Sequence, residues 1–444
     1  MKLFGTDGIR GEAGKFPLDE TTVYRVGRIL GRRVREENPS GVIGGDTRES
    51  TPALLAAIAR GLAAEGVSVE NAGVVPTPAI ADLVRERRAG FGIAISASHN
   101  PWRDNGVKIF GADGRKYPDA GESAIERRLP EERATPAAEA VPPVDPDLAA
   151  IYARHVSSAI GRPLGGLPVL LDCGEGAAFR LGPEIFRSAG AHVEALGIEP
   201  NGRNINEGCG ALHPEKIGKA MEAGHFALGA AFDGDADRVI LADERGRILD
   251  GDDILWILAR EAHRAGALRP AVVVGTVMSN FGLERALAGL GVSLVRTPVG
   301  DRHVVRAMQE NGAVLGGEAS GHIILGNLST TGDGVLAALS ASSLVESSGR
   351  PLSELADLVK VPQILRNLRV GRRVPLDEVV RLARAVAEAE RSLAGDGRVL
   401  LRYSGTEPLL RVMVEGVDGE AVAAIADRLC RVAEEELADI PDRT

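Results

Sequence analysis

The chain has 444 residues, a formal net charge of −10, 44% hydrophobic residues, 26% charged residues and only 3% aromatics. That length exceeds what one hydrophobic core fills, so several domains are expected, and the composition is that of a soluble globular protein with an aliphatic core. No clustered basic face of the kind a nucleic-acid binder carries is visible, and no apolar stretch reaches the roughly 18 residues of a membrane span, so neither nucleic acid nor membrane is an expected partner.

The N-terminal stretch "MKLFGTDGIRG" has no apolar signal region. Within it "FGTDGIRG" (4–11) reads as a Gly-containing loop with one arginine. "VIGGD" (42–46) is a short, fully apolar strand, and a helical stretch closing at Gly66 follows it. "GFGIAIS" is the next strand, then the loop "ASHNPWRDNG", then the strand "VKIF". "LPEERATPAAEAVPPVDPD" (129–147), rich in Pro, Ala and Glu, reads as an interdomain linker. The pattern then recurs twice. "PVLLD" (168–172) leads to a helix ending at Gly190, and "AVVVG" (271–275) to one ending at Gly291. Three strand–helix–strand units predict three related mixed α/β domains. After "VKVPQILRN" (359–367) the pattern changes to a long helix, the two strands "GRVLLRY" and "LLRVMVEG", and a final helix: a smaller α+β domain. The expected boundaries are 1–145, 146–250, 251–362 and 363–444, the second set by the repeat alone. Cys173, Cys209 and Cys430 show no metal spacing and no disulfide framework, which suits a reduced, cytoplasmic protein.

Four short runs can carry chemistry. A lone loop serine such as Ser98 ordinarily just serves a turn. His99 beside it is no nucleophile's base in extended chain, where neighbouring side chains point apart. A reactive Ser98 therefore needs a cation and another base. "DGDADR" offers the cation. On an extended segment Asp233, Asp235 and Asp237 share one face, and three hard oxygens suit Mg²⁺. An EF-hand fails, because Arg238 stands at loop position six where glycine is required, although Glu244 falls at position twelve. The plain alternative is a solvated acidic turn, but three crowded aspartates repel unless something positive sits among them. "RYSGTEPLLR" (402–411) reads either as a capping box, Ser404 to Glu407, or as a phosphate cradle. The strand-like alternation of "LLRVMVEG" weakens the former. In the cradle Ser404 and Thr406 offer hydroxyls, Gly405 lets backbone N–H groups approach, and Arg402 and Arg411 are charged donors. "GGEASGH" (316–322) places Glu318 and Ser320 to hold vicinal sugar hydroxyls, or is a polar turn. "VGDRHV" (299–304) is a further loop with an arginine, and His99, His303 and His322 show no metal-ligand spacing.

In this order and together, these runs resemble the α-D-phosphohexomutase superfamily, in particular its bacterial phosphoglucosamine mutases, over nearly the whole chain from "LFGTDGIRG" to "RYSGTEP". "SASHNP" and "DGDADR" are shared widely in the superfamily. "LFGTDGIRG", "DGD" at 250–252 and the "GGE-SGHIIL" run look more like the phosphoglucosamine branch. The resemblance implies four domains around a central cleft, and interconversion of glucosamine 6-phosphate and glucosamine 1-phosphate through a 1,6-bisphosphate, for amino-sugar supply to UDP-N-acetylglucosamine and the cell wall. It implies that Ser98 carries the phosphoryl group and, with Asp233, Asp235 and Asp237, holds Mg²⁺, with His99 and Arg238 beside it. Lys108 is then a general base or an electrostatic partner for the acceptor hydroxyl. Glu318 and Ser320 read the sugar; Arg402, Ser404, Gly405, Thr406 and Arg411 hold the non-reacting phosphate; Thr6 and Arg10 are further contacts. The resemblance admits a homodimer and a sugar 1,6-bisphosphate activator. His303 stands where Tyr is more usual, and Ala319 where Gln is common. The rivals are a phosphomannomutase/phosphoglucomutase of the same fold, a metal-dependent sugar phosphatase with a serine intermediate, and a non-catalytic sugar-phosphate binder. The intact Ser98 and aspartate triad argue against the last.

Overall fold

Short apolar runs bounded by glycine make the sheet centres of this protein, as buried parallel strands require. The computed structural model describes residues 2–5, 7–136, 141–371, 373–404 and 409–438. The first sheet holds β1 (Phe4–Gly5), β2 (Gly8–Glu12), β3 (Ser40–Gly45), β4 (Ser68–Val74), β5 (Phe91–Ile95) and β6 (Asp104–Gly111), with helices α1 (Glu20–Val34), α2 (Thr51–Ala63), α3 (Thr77–Glu86) and α4 (Asp119–Arg128). Then come α5 (Pro146–Ser158), β7 (Pro168–Asp172), α6 (Ala178–Ser188), β8 (His192–Leu196), α7 (Pro214–Ala223), β9 (Leu228–Phe232), β10 (Val239–Ala242) and β11 (Ile248–Leu249). The third set is α8 (Gly251–Arg264), β12 (Val272–Thr276), α9 (Phe281–Gly289), β13 (Ser293–Thr297), α10 (Asp301–Asn311), β14 (Leu315–Gly317), β15 (Ile323–Leu325), α11 (Gly334–Ser348) and α12 (Leu352–Leu355). The last is β16 (Gln363–Arg369), α13 (Val380–Leu393), β17 (Gly397–Tyr403), β18 (Leu409–Gly416) and α14 (Gly419–Ala438).

The internal repeat is real at the level of topology. The three sheets contain the same four-strand order: β6-β5-β3-β4, β10-β9-β7-β8 and β15-β14-β12-β13. In each, the central strand is parallel to both neighbours, and the third strand is followed by an antiparallel return strand. Gly66, Gly190 and Gly291 all adopt positive φ just beyond a helix end, as expected for the residue that turns the chain back to a strand. The fourth sheet, β16-β18-β17, is wholly antiparallel. Leu410, Val412 and Val414 of β18 face a core shared with α13 and α14. Compactness divides the chain into one unit of Met1–Thr276 with Val292–Asp357 and a second of Val277–Gly291 with Leu358–Thr444. Among the described residues no helix is long and apolar enough to cross a membrane.

The repeat determines where chemistry can occur. The loop holding Ser98 joins β5 to β6, that holding the three aspartates joins β9 to β10, and that holding Glu318 joins β14 to β15. Each occupies the same place in its sheet, at the C-terminal end of the third strand, where open α/β sheets bind ligands.

Packing of the first domain depends on close helix contact. A Cβ on Gly61 of α2 would lie 2.1 Å from the Tyr24 carbonyl oxygen of α1, and one on Gly27 2.5 Å from that of Ile58. Backbone cannot yield there. Gly61→Leu is expected to destabilise the protein by about 3 kcal/mol or more, read as a lower urea midpoint. An unchanged midpoint would mean the helices have room to part.

Candidate active site

Ser98 is fully buried and sits at φ +53°, a left-handed conformation rare for serine that costs on the order of 1 kcal/mol or more. Its backbone is held on both sides. The amide donates to Ser96 Oγ (2.8 Å), and the carbonyl accepts from Arg48 Nη2 (2.9 Å) and Asn206 Nδ2 (3.0 Å). The side chain donates to Asp233 Oδ2 at 2.5 Å. The left-handed turn also brings Ser98 Oγ to 3.3 Å from His99 Nδ1. The two side chains therefore do not point apart as extended chain predicts, because the chain here is not extended. Burial, and then the cations Arg238 and Arg10, push His99 down to about 4, so its ring is neutral at pH 7.

The three aspartates are buried together, at 1%, 1% and 5% exposure, with carboxylate oxygens within 4.8 Å of one another. They do not lie on an extended segment. Residues 233–238 form the loop of a hairpin closed by the Phe232–Val239 pair, with Ala236 at φ +55°. Convergence comes from the turn, not from strand alternation. Burial and the charges of Asp237 and Asp235 push Asp233 up to about 8. Asp237 is also raised by burial, but Lys108, His322 and Arg238 hold it well below the usual carboxylate range. Oδ1 of Asp235 and Oδ1 of Asp237 are buried and accept no hydrogen bond among the described residues. A hard, compact cation meets each of these demands at once, and this all-oxygen donor set fits Mg²⁺.

Lys108 Nζ lies 2.7 Å from Asp235 Oδ2, 3.2 Å from Asp237 Oδ2 and 3.0 Å from Asp7 Oδ2. Burial alone would lower its pKa, but Asp235, Asp237 and Asp7 hold it well above the usual lysine value. An ammonium among three carboxylates suits the electrostatic role of the two expected for it. Asp7 also pairs with Arg10 and Lys116, and Lys116 with Asp301 at the start of α10. Arg238 donates its backbone N–H to Asp233 Oδ1 (3.1 Å), while its buried Nε has no hydrogen-bond partner among the described residues. Arg10, Arg238 and Lys108 thus surround Ser98 and the carboxylates with positive charge.

The Glu318 loop abuts the aspartate loop. Val239 N–H donates to the Gly321 carbonyl (3.0 Å), and Gly334 N–H to that of Ala236 (3.0 Å). Gly321, at φ +93°, is obligatory: a Cβ there would lie 2.2 Å from the Val239 oxygen. Glu318 is buried and accepts the Gly300 N–H at 3.0 Å, which couples it to the "VGDRHV" loop. Ser320 is exposed, on the turn between β14 and β15, so the two do not simply alternate along a strand. Buried His322 faces Asp237 Oδ1 at 3.8 Å and accepts the Gly332 N–H through Nε2 (3.1 Å). His303 lies partly buried on α10. Asp250 caps α8 in a capping box with Asp253, which gives the "DGD" run a structural task.

In the second unit Arg402 and Arg411 are directly opposite on adjacent strands. Burial and then Arg411 lower the pKa of Arg402, the mark of two guanidiniums facing each other. Ser404 is buried at the end of β17, its amide donating to the Leu409 carbonyl (2.8 Å) and its carbonyl accepting from Arg373 (2.5 Å). The described chain resumes at Leu409 as a strand, β18. Thr6, Gly405 and Thr406 lie outside the described residues.

Sequence reasoning missed Asp7, Asp46, Arg48, Thr77 and Asn206. Thr77 donates its hydroxyl to Asp235 Oδ2 at 2.6 Å. For Asp46 and Arg48 a signal existed, because "GGDTRES" sets an acid and an arginine at the end of a buried strand. For the others no spacing could reveal partners dozens of residues away.

The chain matches all four segments of one family. These are phosphoglucomutase/phosphomannomutase, alpha/beta/alpha domain I over residues 1–135, domain II over 150–246, domain III over 250–361 and the C-terminal domain over 365–432. Similar relatives include the phosphoglucosamine mutase of Anaeromyxobacter sp. (strain Fw109-5), 47% identical, with 96% of this chain and 94% of the relative covered. The phosphoglucosamine mutase of Symbiobacterium thermophilum is 44% identical, with 98% and 99% covered. A crystal structure of a phosphoglucomutase/phosphomannomutase family protein from Burkholderia thailandensis is 25% identical and superposes with a TM-score of 0.84, covering 99% of this chain and 98% of that one.

Proposed function

The chain belongs to the phosphoglucomutase/phosphomannomutase family, and on that premise we propose that it is a phosphoglucosamine mutase, an isomerase interconverting glucosamine 6-phosphate and glucosamine 1-phosphate. The observation that carries the mechanism is Ser98 Oγ at 2.5 Å from Asp233 within a buried carboxylate triad ringed by Lys108, Arg10 and Arg238. In the forward half, the bond from phosphorus to Ser98 Oγ breaks and a bond to the sugar O1 forms, the O1 proton passing to Ser98 Oγ to restore its hydroxyl, giving the 1,6-bisphosphate. The bisphosphate then presents its other end. The bond from O6 to its phosphorus breaks as that phosphoryl passes to Ser98 Oγ, the serine proton goes to O6, and glucosamine 1-phosphate leaves. Transfer of this kind relies on positioning and charge neutralisation more than on covalent help from the protein.

Asp233, Asp235, Asp237 and the phosphorylated Ser98 would hold Mg²⁺, which when bound supplies Lewis-acid neutralisation of the transferring phosphoryl group. Lys108 and Arg238 add positive charge to that neutralisation. Arg402 and Arg411, two like charges side by side, suit the phosphate that does not react. A trace of sugar 1,6-bisphosphate would prime unphosphorylated enzyme. The free thiols Cys173 and Cys209 suit a reducing compartment, and we place the enzyme in the cytoplasm.

The test is an assay with glucosamine 6-phosphate and trace bisphosphate. Glucosamine 1-phosphate should form; release of inorganic phosphate without isomerisation would instead indicate a phosphatase. Glucosamine, glucose and mannose phosphates share their configuration at C3 and C4, so Glu318 acting there cannot distinguish them, and preference must arise at C2. The expected result is a higher kcat/KM for glucosamine 6-phosphate, with weak activity on glucose phosphate. Glu318→Ala should lower both about tenfold to a hundredfold, the worth of hydrogen bonds to a charged group. A loss confined to one substrate would remove Glu318 from the shared hydroxyls, and a preference for mannose or glucose phosphate would move the chain to the sister branch.

A further inference from the structure

Arg48 is the largest of the fully buried side chains, and the mechanism above does not use it. It follows β3 in "GGDTRES", on a different segment from the serine loop. Its guanidinium has five N–H donors, and five acceptors meet them. Nε donates to Asp46 Oδ2 (2.8 Å). Nη1 donates to the carbonyls of Pro101 (2.5 Å) and Asp104 (2.9 Å). Nη2 donates to the carbonyls of Ser98 and Asn100, both at 2.9 Å. One side chain therefore ties down four carbonyls of the seven-residue run 98–104.

Asp46 extends the clamp to the other side of the nucleophile. Its Oδ2 accepts from Ser96 Oγ (2.7 Å), and that oxygen accepts the Ser98 N–H (2.8 Å). Its Oδ1 accepts the Arg48 N–H (3.1 Å) and the Thr51 hydroxyl (2.9 Å). Both peptide groups flanking the Ser98 Cα are thus fixed by one buried ion pair, and these two groups set the φ of +53° that directs Oγ at Asp233. An ordinary loop would relax this serine into a commoner conformation and carry Oγ elsewhere.

We propose that Arg48, through Asp46 and Ser96, is the positioning element of the nucleophile: it holds Ser98 in the left-handed conformation from which Oγ can take and give the phosphoryl group. The proposal rests on the reading of Ser98 as phosphoryl carrier. Lysine cannot replace this arginine, since its three donors radiate from one atom and cannot span four carbonyls and a carboxylate.

The experiment follows uptake of phosphoryl from glucose 1,6-bisphosphate onto dephosphorylated enzyme by time-resolved intact mass and site mapping. It is joined to steady-state kinetics and Mg²⁺ titration on wild type, Arg48→Lys and Ser96→Ala. Expected is an uptake rate and kcat about a hundredfold lower in Arg48→Lys. KM, and the Mg²⁺ affinity of the dephosphorylated enzyme, should stay within about threefold, since Glu318, Arg402, Arg411 and the three aspartates lie on other segments. Ser96→Ala should lose about tenfold with an unchanged melting temperature, which keeps the proposal testable if the lysine variant folds poorly. Uptake at the wild-type rate in either variant overturns the proposal, as does a parallel fall of uptake, Mg²⁺ affinity and melting temperature in both. If wild type itself takes up phosphate at a site other than Ser98, it is the functional reading that fails.

Discussion

Ser98→Ala is expected to lose mutase turnover by about 10⁴-fold or more while remaining folded, and to stay unmodified where wild type shows partial phosphorylation. The magnitude follows from removing the group that bonds to the phosphoryl, without which one difficult displacement cannot be divided into two easier ones. Stability should change little. Alanine tolerates the φ of +53° about as well as serine, and the lost hydrogen bond to Asp233 leaves a carboxylate that burial and its neighbours already push up to about 8. Mass spectrometry and melting curves of the two proteins decide the matter. Phosphate mapped to another residue, or turnover within tenfold of wild type, would falsify the role of Ser98.

Domain architecture was legible because the repeat is written in local chemistry. An apolar strand, a helix and a positive-φ glycine at 66, 190 and 291 are features a chain carries in any context. Placement of the candidate loops in their sheets was legible for a related reason: each follows an apolar run at the same point of its unit. What the sequence hid was conformation within those loops. Alternation predicted the aspartates on an extended segment and His99 turned away from Ser98. Left-handed residues, Ala236 and Ser98, invert both. Neither alanine nor serine signals such a φ, because tertiary hydrogen bonds impose it. The same holds for Lys108. Its sequence neighbours say nothing of Asp7, Asp235 and Asp237, whose approach from three directions raises its pKa. For Arg48 the local signal is partial: "GGDTRES" sets an arginine three residues beyond the end of β3, but nothing local reports that it is fully buried.

The second large effect concerns the triad. Replacing Asp235 or Asp237 with Asn keeps shape and removes one anionic ligand, so Mg²⁺ affinity should fall by at least about a hundredfold and kcat by about a thousandfold. Chelator should inactivate wild type, and added Mg²⁺ should restore it. Asp233→Asn should lose activity as strongly but differ in stability. Its carboxyl is raised to about 8 in the folded protein, against an ordinary value near 4 when unfolded. The folded state therefore binds the proton more tightly, and the stability this confers is full below about pH 4 and lost as pH rises through about 8. Asparagine mimics the protonated form at every pH. In chelator, Asp233→Asn should thus melt close to wild type at pH 5 and above it at pH 8.5, and Mg²⁺ should reverse that order by stabilising only wild type. Melting curves at the two pH values, with and without Mg²⁺, measure all four conditions. A variant that melts below wild type in chelator at pH 8.5 would mean that Asp233 is stabilised as an anion by the protein alone, and a variant active without added metal would reduce the triad to an acidic turn.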